Sequence, residues 1–143
     1  MGACVAARFL TIFMTDMERL HTDSAPAAIG PYSQAVKKGD HLFVSGQLPL
    51  TPDGRMVETD FAKQARTALS NLTSIVNSAG SGESGRAFEI VKVTAYLTDL
   101  SRYAEFNEVY SEWFANDRPA RAVVGVAALP KDAPLEVECI AIS

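Results

Sequence analysis

The sequence predicts a single α+β domain in which one β-sheet carries two helices on the same face. Three observations support this fold class. The chain has 143 residues, of which 48% are hydrophobic and 21% charged, a balance typical of one folded domain. Two segments show the apolar spacing of helices, and strand-like segments lie before, between and after them. The resulting order, ββ(β)αβαββ, contains strands that cannot all be parallel, which favours an α+β layer fold.

A β-hairpin is predicted near the start of the domain. Residues 32–36 and 41–45 are strand-like, and a tight turn at Gly39-Asp40 joins them. The preceding segment, 24–31, is interrupted by prolines and a glycine, so we expect irregular structure that leads into the hairpin. A loop opening at Gly46 follows the second strand.

The first helix is predicted to begin at Phe61. Apolar residues recur from there at intervals of three and four as far as Val76, which is the stripe of a helix with one buried face. Thr59 or Asp60 can cap its start, and Gly80 can end it. The glycine- and serine-rich stretch that follows, 81–85, has the composition of a mobile loop.

The second half of the chain alternates strand and helix. Residues 90–97 form a predicted strand with Val91 on its apolar face, and aromatic residues at helical spacing follow over 103–114. Two further strands are predicted over 122–126 and 135–142. Because both helices cover one face of the sheet, the other face needs a cover, and oligomerisation commonly provides it.

Charge and cysteine content exclude several classes of protein. The net charge is −4, and the densest basic step before the C-terminal third is Lys37-Lys38, so no basic stripe could neutralise several phosphates. Nucleic acid is therefore disfavoured as a partner. Cys4 and Cys139 are the only cysteines and no Cys/His cluster accompanies them, so the sequence lacks the ligands of a zinc site. This cysteine usage fits a reducing cytoplasm.

Residues 1–23 are predicted to be an N-terminal extension of a single domain that spans 24–143. The apolar run in this segment, 9–14, is too short to span a bilayer and has only Arg8 as a positive flank. We interpret the extension as disordered, or as the product of an upstream start, with Met14 or Met17 as alternatives. A mitochondrial presequence is the alternative to a cytoplasmic protein.

Polar residues at strand ends are the candidates for chemistry. The sequence contains none of the motifs GxSxG, GxxxxGK[ST] and HExxH. No motif therefore indicates a serine hydrolase, a P-loop protein or a zincin. Arg121 enters one predicted strand, and Glu136 and Glu138 share one face of the last strand. From the residues alone, Arg121 is either a structural ion pair or a ligand site. If the last two strands formed a plain hairpin, Glu138 would lie nearer Arg121 than Glu136.

Five motifs in order resemble the Rid (YjgF, L-PSP endoribonuclease-like) family. They are the segments APAAIGPYSQ (25–34), VSGQLP (44–49), RPAR (118–121), LPKD (129–132) and LEVECIA (135–141). The likeness runs from Ser24 to Ile142. It implies a chorismate-mutase-like α+β fold that assembles as a homotrimer, with three clefts at the subunit interfaces.

The resemblance also implies roles for individual residues. Arg121 matches the arginine that binds the substrate carboxylate, and Glu136 matches the glutamate that positions or activates water, with Glu138 as the alternative. Five further residues match substrate-binding positions: Tyr32, Ser45, Gly46, Asn107 and Val123.

The implied activity is hydrolytic deamination of reactive 2-imino and enamine acids, such as imines derived from 2-aminoacrylate, to 2-keto acids and ammonia. The resemblance implies that the substrate is a small-molecule 2-imino acid. It implies neither a metal nor a cofactor. Cleavage of single-stranded RNA, and a non-catalytic metabolite-binding or chaperone-like trimer, are the alternatives. The chain departs from the deaminase pattern at Val123, where a polar residue is common, at Gly125, where glutamate is common, and in a longer loop at 81–85.

Overall fold

Six β-strands form one mixed sheet in the computed structural model, which describes residues 16–58 and 60–143. In chain order the strands are β1 (Glu18–Leu20), β2 (Ala35–Lys38), β3 (His41–Gln47), β4 (Glu89–Leu97), β5 (Ala120–Gly125) and β6 (Leu135–Ile142). Their order across the sheet is β1-β2-β3-β6-β4-β5, and among these pairs only β4 and β5 run parallel. The strands are joined by α1 (Phe61–Ser78), α2 (Tyr103–Trp113) and two short 3-10 turns, Leu100–Arg102 and Pro130–Asp132. The predicted α+β fold with a single mixed sheet and two helices is confirmed.

The ends of α1 follow the sequence signals. The side chain of Asp60 accepts a hydrogen bond from the backbone N–H of Lys63 at 2.9 Å, so Asp60 is the N-cap. Thr59, the other predicted cap, lies outside the described residues. At the far end Gly80 has a φ of 68°, the left-handed conformation that commonly follows a helix and that glycine adopts without a steric cost.

The main core lies between the sheet and the two helices. The apolar stripe of α1 is buried, and α2 adds Phe106, Val109 and Tyr110. In β6 burial alternates strictly, so that Leu135, Val137, Cys139 and Ala141 all face the helices. Cys139 is a core residue, and burial raises the pKa of its thiol to about 12. Such a thiol is not a nucleophile at neutral pH.

The opposite face of the sheet carries no helix of its own among the described residues, and we call it the open face. It exposes large apolar side chains such as Phe43 and Val124, which are 48% and 42% exposed in the single chain. Glu136 and Glu138 lie on the same face, since they alternate with the core residues of β6. In the described part of the chain, no helix is both long and apolar enough to cross a membrane.

Two features of the sheet differ from the sequence predictions. Strand β1 was not predicted. It lies inside the segment assigned to the extension and pairs with β2, and Lys37 Nζ of β2 lies 2.9 Å from Glu18 Oε2 of β1. The prediction that Val91 faces the core is wrong, because the pairing of β4 with β6 shifts register between Ile90 and Lys92. Ile90 packs against the core instead, and Val91 is 38% exposed. Residues 1–15 lie outside the described residues.

The loop over residues 81–85 is fastened to the hairpin by hydrogen bonds that its composition did not predict. The backbone N–H of Ser84 and the hydroxyl of Ser143 both donate to Asp40 Oδ1, at 2.7 and 2.8 Å. These donors lower the pKa of Asp40, with the Ser84 N–H as the largest cause. The loop, the hairpin turn and the C-terminal residue therefore meet at one point.

Candidate functional site

A cavity of about 430 Å³ opens beside the end of β3 and the start of β6. Four of the predicted site residues line it together: Tyr32, Ser45, Gly46 and Glu136. Glu138 and the loop that contains Pro26 and Ile29 complete much of its wall. We call this cavity the carboxylate cavity, after its two glutamates.

Gln34 holds the outer wall of the carboxylate cavity in place. Its side chain is buried, accepts a hydrogen bond from Thr22 N at 2.7 Å, and donates to Thr22 O and Pro26 O at 3.0 and 2.8 Å. A buried amide is stable only when its donors and acceptor are satisfied, and here they bind the irregular segment before the hairpin. This segment is therefore held by the side chain of Gln34, the residue just before β2, and not by the backbone hydrogen bonds of a β-sheet.

Tyr32 and Ser45 are oriented by local hydrogen bonds. The Tyr32 hydroxyl accepts from Ile29 N at 3.3 Å, while the side chain stays 49% exposed. The Ser45 hydroxyl donates to Ser33 O at 2.6 Å, so it keeps its lone pairs free to accept a hydrogen bond from a ligand.

Gly46 is required by the position of Glu136. A Cβ atom on Gly46 would overlap the carboxylate of Glu136, so any side chain there would displace it. Only a glycine at position 46 allows the backbone of β3 to come this close to the Glu136 side chain.

The two glutamates differ in their environments. Burial raises the pKa of Glu136, and the negative charge of Glu138 raises it further. Glu138 accepts a hydrogen bond from the hydroxyl of Tyr96 at 3.1 Å, and burial together with this glutamate raises the pKa of Tyr96. Glu136 is therefore a carboxylate with a raised proton affinity, whereas one oxygen of Glu138 is already engaged.

Arg121 lies on the opposite face of the sheet from the glutamates. It pairs with Val93 of β4, whose side chain points to the helices, and its guanidinium stacks 4.6 Å from the centre of the Tyr110 ring. It also donates from Nη2 to the hydroxyl of Tyr103 at 3.1 Å. Among the described residues Arg121 forms no ion pair with an acidic side chain. The structural ion pair considered from the sequence is thus not formed within the described part of the chain.

Val123 and Asn107 belong to the same side as Arg121. Val123 pairs with the buried Ala95 of β4 and packs against the core, and Asn107 lies half-buried on α2 between the two tyrosines that contact Arg121. We call this group, with Arg121 at its centre, the arginine cluster.

The sheet separates the arginine cluster from the carboxylate cavity. Strand β4 lies between β5 and β6, so the plain hairpin considered from the sequence does not form. Val93 of β4 pairs with Arg121 on one side and with Cys139 of β6 on the other, and Cys139 is three residues along β6 from Glu136. The standard strand spacing and rise place the Cα atoms of Arg121 and Glu136 roughly 14 Å apart, with side chains on opposite faces. One chain cannot bring the two groups onto the same small substrate.

Sequence reasoning missed several residues of this arrangement. Gln34 stands in the first motif without an indicated role, and Tyr96 gave no signal, because a buried amide and a tyrosine on a strand look the same in a sequence whether or not they find a partner. Tyr103 and Tyr110 belong to the aromatic residues at helical spacing over 103–114, for which the sequence indicated a helix and no role at a site. Tyr110 is buried, but its hydroxyl has no hydrogen-bond partner among the described residues, and Tyr103 is 43% exposed and bonded to Arg121.

The described residues contain no group of three or more His, Cys, Asp or Glu side chains that could hold a metal ion. The polar groups available for chemistry are therefore the two glutamates, the hydroxyls of the cavity, and the arginine with its tyrosines.

Comparisons with known proteins identify the family. The family model described as Endoribonuclease L-PSP matches residues 22–143. A RutC family protein of Pyrococcus abyssi is 45% identical over 125 residues, which cover 87% of this chain and 95% of the relative.

Solved structures agree with this result. The structure of Escherichia coli TdcF with bound serine has a TM-score of 0.80 and 42% identity, covering 88% of this chain and 98% of that chain. The structure of yeast Mmf1 has a TM-score of 0.82 and 38% identity, covering 90% of this chain and 99% of that chain.

These matches define a small single-sheet α+β protein of the YjgF type. The chain belongs to the endoribonuclease L-PSP family, which is the Rid/YjgF family that its five motifs resemble. The predicted family is confirmed.

Proposed function

We propose that the protein hydrolyses 2-imino and enamine acids to 2-keto acids and ammonia, at clefts formed between adjacent chains of a homotrimer. The observation that carries the proposal is the division of the site residues into two groups on opposite faces of one sheet. Within the described part of the chain each group is incomplete: the arginine cluster has a cation without an acidic partner, and the carboxylate cavity has acids without a cation. Joining one chain's arginine cluster to its neighbour's carboxylate cavity would complete the site.

The open face supports assembly. It exposes several large apolar side chains in the single chain, and burial of such a patch is favourable by about 25 cal/mol per Å². A repeated contact between two different surfaces of identical chains closes into a ring when the rotation permits. The arginine cluster and the carboxylate cavity are two such different surfaces, so a cyclic trimer would contain three equal clefts.

The arginine cluster is suited to bind a carboxylate. A guanidinium presents a planar fork of N–H donors that matches a carboxylate bidentately, and the contact with the Tyr110 ring and the hydrogen bond to Tyr103 hold this group in place. In the relative TdcF the bound molecule is serine, which carries a carboxylate beside an amino carbon. A 2-imino acid presents the same carboxylate beside an electrophilic carbon.

Glu136 is suited to direct water at that carbon. Its raised pKa brings its proton affinity closer to that needed for proton transfer near neutral pH. In the proposed step, the oxygen of water bonds to C2 while Glu136 accepts one of its protons and the second electron pair of the C=N bond moves to nitrogen, to which Glu136 returns that proton. The carbinolamine hydroxyl then gives its proton to nitrogen through Glu136 as the C–N bond breaks, which releases ammonia and leaves the 2-keto acid. We favour Glu136 over Glu138 in this role because Glu138 is already bonded to Tyr96.

RNA cleavage is less well supported than imine hydrolysis. Two carboxylates line the cavity, and negative charges there would repel the phosphates of a nucleic acid. The non-catalytic alternative rests on Val123, which offers no polar atom beside Arg121.

Kinetics of two variants test the proposal. Ammonia and keto-acid release from freshly generated 2-iminobutanoate should be fast with the wild-type protein and lost in Arg121→Ala and Glu136→Gln. Arg55→Ala is the matched control, because Arg55 is an exposed arginine paired with Asp53, and it should keep full activity. Full activity in Arg121→Ala would refute the mechanism. Wild-type binding of 2-oxobutanoate without imine turnover would instead establish the non-catalytic trimer.

A further inference from the structure

The side chain of Arg121 lies between two tyrosines of α2. Tyr103 and Tyr110 are seven residues apart, which is two helical turns, so both rings point to the same side of the helix. The Arg121 guanidinium lies 4.6 Å from the Tyr110 ring centre and 5.8 Å from the Tyr103 ring centre. Tyr110 is buried and Tyr103 is 43% exposed, so the accessible side of the guanidinium is the one next to Tyr103.

The guanidinium of Arg121 offers a ligand the N–H donors along its edge. The guanidinium carbon lies over the Tyr110 ring, and all the N–H donors of the guanidinium lie in its own plane. One of these donors, on Nη2, is bonded to the Tyr103 hydroxyl oxygen at 3.1 Å. Because that oxygen accepts from arginine, the hydroxyl's own hydrogen remains available to donate. An anion at the exposed edge of Arg121 would therefore meet the guanidinium donors and the Tyr103 O–H side by side.

We infer that Tyr103 is a second carboxylate-binding residue, whose hydroxyl donates to the same substrate carboxylate that Arg121 holds. This inference rests on the proposed function and deepens it by naming a further binding residue. It also accounts for Val123: this side chain shares the helix-facing side of β5 with Arg121 and has no polar atom, so the additional donor comes from α2.

Tyr103→Phe tests the inference with little change in packing, since it removes only the hydroxyl. A hydrogen bond to a charged group is strong enough that its loss should raise KM for 2-iminobutanoate by about tenfold or more, with kcat nearly unchanged. Binding of the product-like probe 2-oxobutanoate, measured by calorimetry, should weaken by the same factor. Binding of the neutral analogue 2-oxobutanamide should not change.

Two further measurements separate a binding role from a structural one. Ser111→Ala removes an exposed hydroxyl from the same helix and should leave KM at the wild-type value. Thermal unfolding of Tyr103→Phe should match the wild type. An unchanged KM and unchanged 2-oxobutanoate affinity in Tyr103→Phe would overturn the inference, as would equal weakening of the carboxylate and carboxamide probes.

The outcome also distinguishes this inference from the proposed function. If wild type turns over imines and Arg121→Ala does not, while Tyr103→Phe is normal, the inference fails and the proposed function stands. If wild type binds 2-oxobutanoate through Tyr103 but hydrolyses no imine, the inference stands and the proposed function fails.

Discussion

Arg121→Ala and Glu136→Gln should each inactivate the protein. A trimer that contains chains of both variants should regain part of the activity. The reason is geometric, because the two side chains lie on opposite faces of one sheet and can meet only across a subunit boundary. A cleft built from the Glu136→Gln chain's arginine and the Arg121→Ala chain's glutamate has both native groups.

The size of the recovery follows from the proposed ring. In a cyclic trimer each cleft takes Arg121 from one chain and Glu136 from the next, so every trimer that contains both single variants has one intact cleft, about one third of its clefts. Purified mixed trimers should therefore reach about one third of the wild-type rate per cleft, with an unchanged KM, since each intact cleft is wild-type in composition.

The assay is ammonia release from 2-iminobutanoate by mixed oligomers prepared by joint refolding or co-expression and purified through tags on both chains. Arg121→Ala mixed with the double variant Arg121→Ala, Glu136→Gln is the control, because no pairing of these chains yields a cleft with the arginine. Mixed trimers that contain both single variants and show no activity above that control would refute the two-chain site.

Two further predictions concern the carboxylate cavity. Glu138→Gln removes the negative charge that helps to raise the pKa of Glu136, so Glu136 should stay ionised to lower pH. The acidic limb of the plot of kcat/KM against pH should therefore move to lower pH. A shift to higher pH would contradict the assignment of this limb to Glu136. Gln34→Ala should lower the free energy of unfolding in urea by about 2–3 kcal/mol, since it leaves several buried backbone partners unsatisfied. Gln64→Ala loses a single bond, to Val57 O, and should cost about 1 kcal/mol; equal losses in the two variants would argue against the role of Gln34.

Local signals predicted most of the fold. The strict alternation of β6 and the apolar stripe of α1 each follow from a period that one element imposes on its own residues. Val91 and β1 escaped such reasoning because both depend on a partner strand. The register shift in β4 is set by its pairing with β6, and the three residues of β1 are too few to show a period.

The sequence indicated candidate site residues but not their arrangement. The motifs indicated Arg121 and Glu136 as functional residues, yet nothing in the order of residues shows that β4 inserts between the strands that carry them. The faces on which two residues lie become known only with the strand order. The bond between Tyr103 and Arg121 is equally a product of how α2 lies against β5.

The contact between Gly46 and Glu136 has a consequence for reading related sequences. The Cβ that Gly46 lacks would occupy the space of the Glu136 carboxylate, so the two positions are not free to vary independently. A homologue with a side chain at the first position has to place its acid elsewhere or dispense with it. Inspection of these two positions alone would therefore sort family members into those that retain this acid in its cavity and those whose cavity serves another ligand.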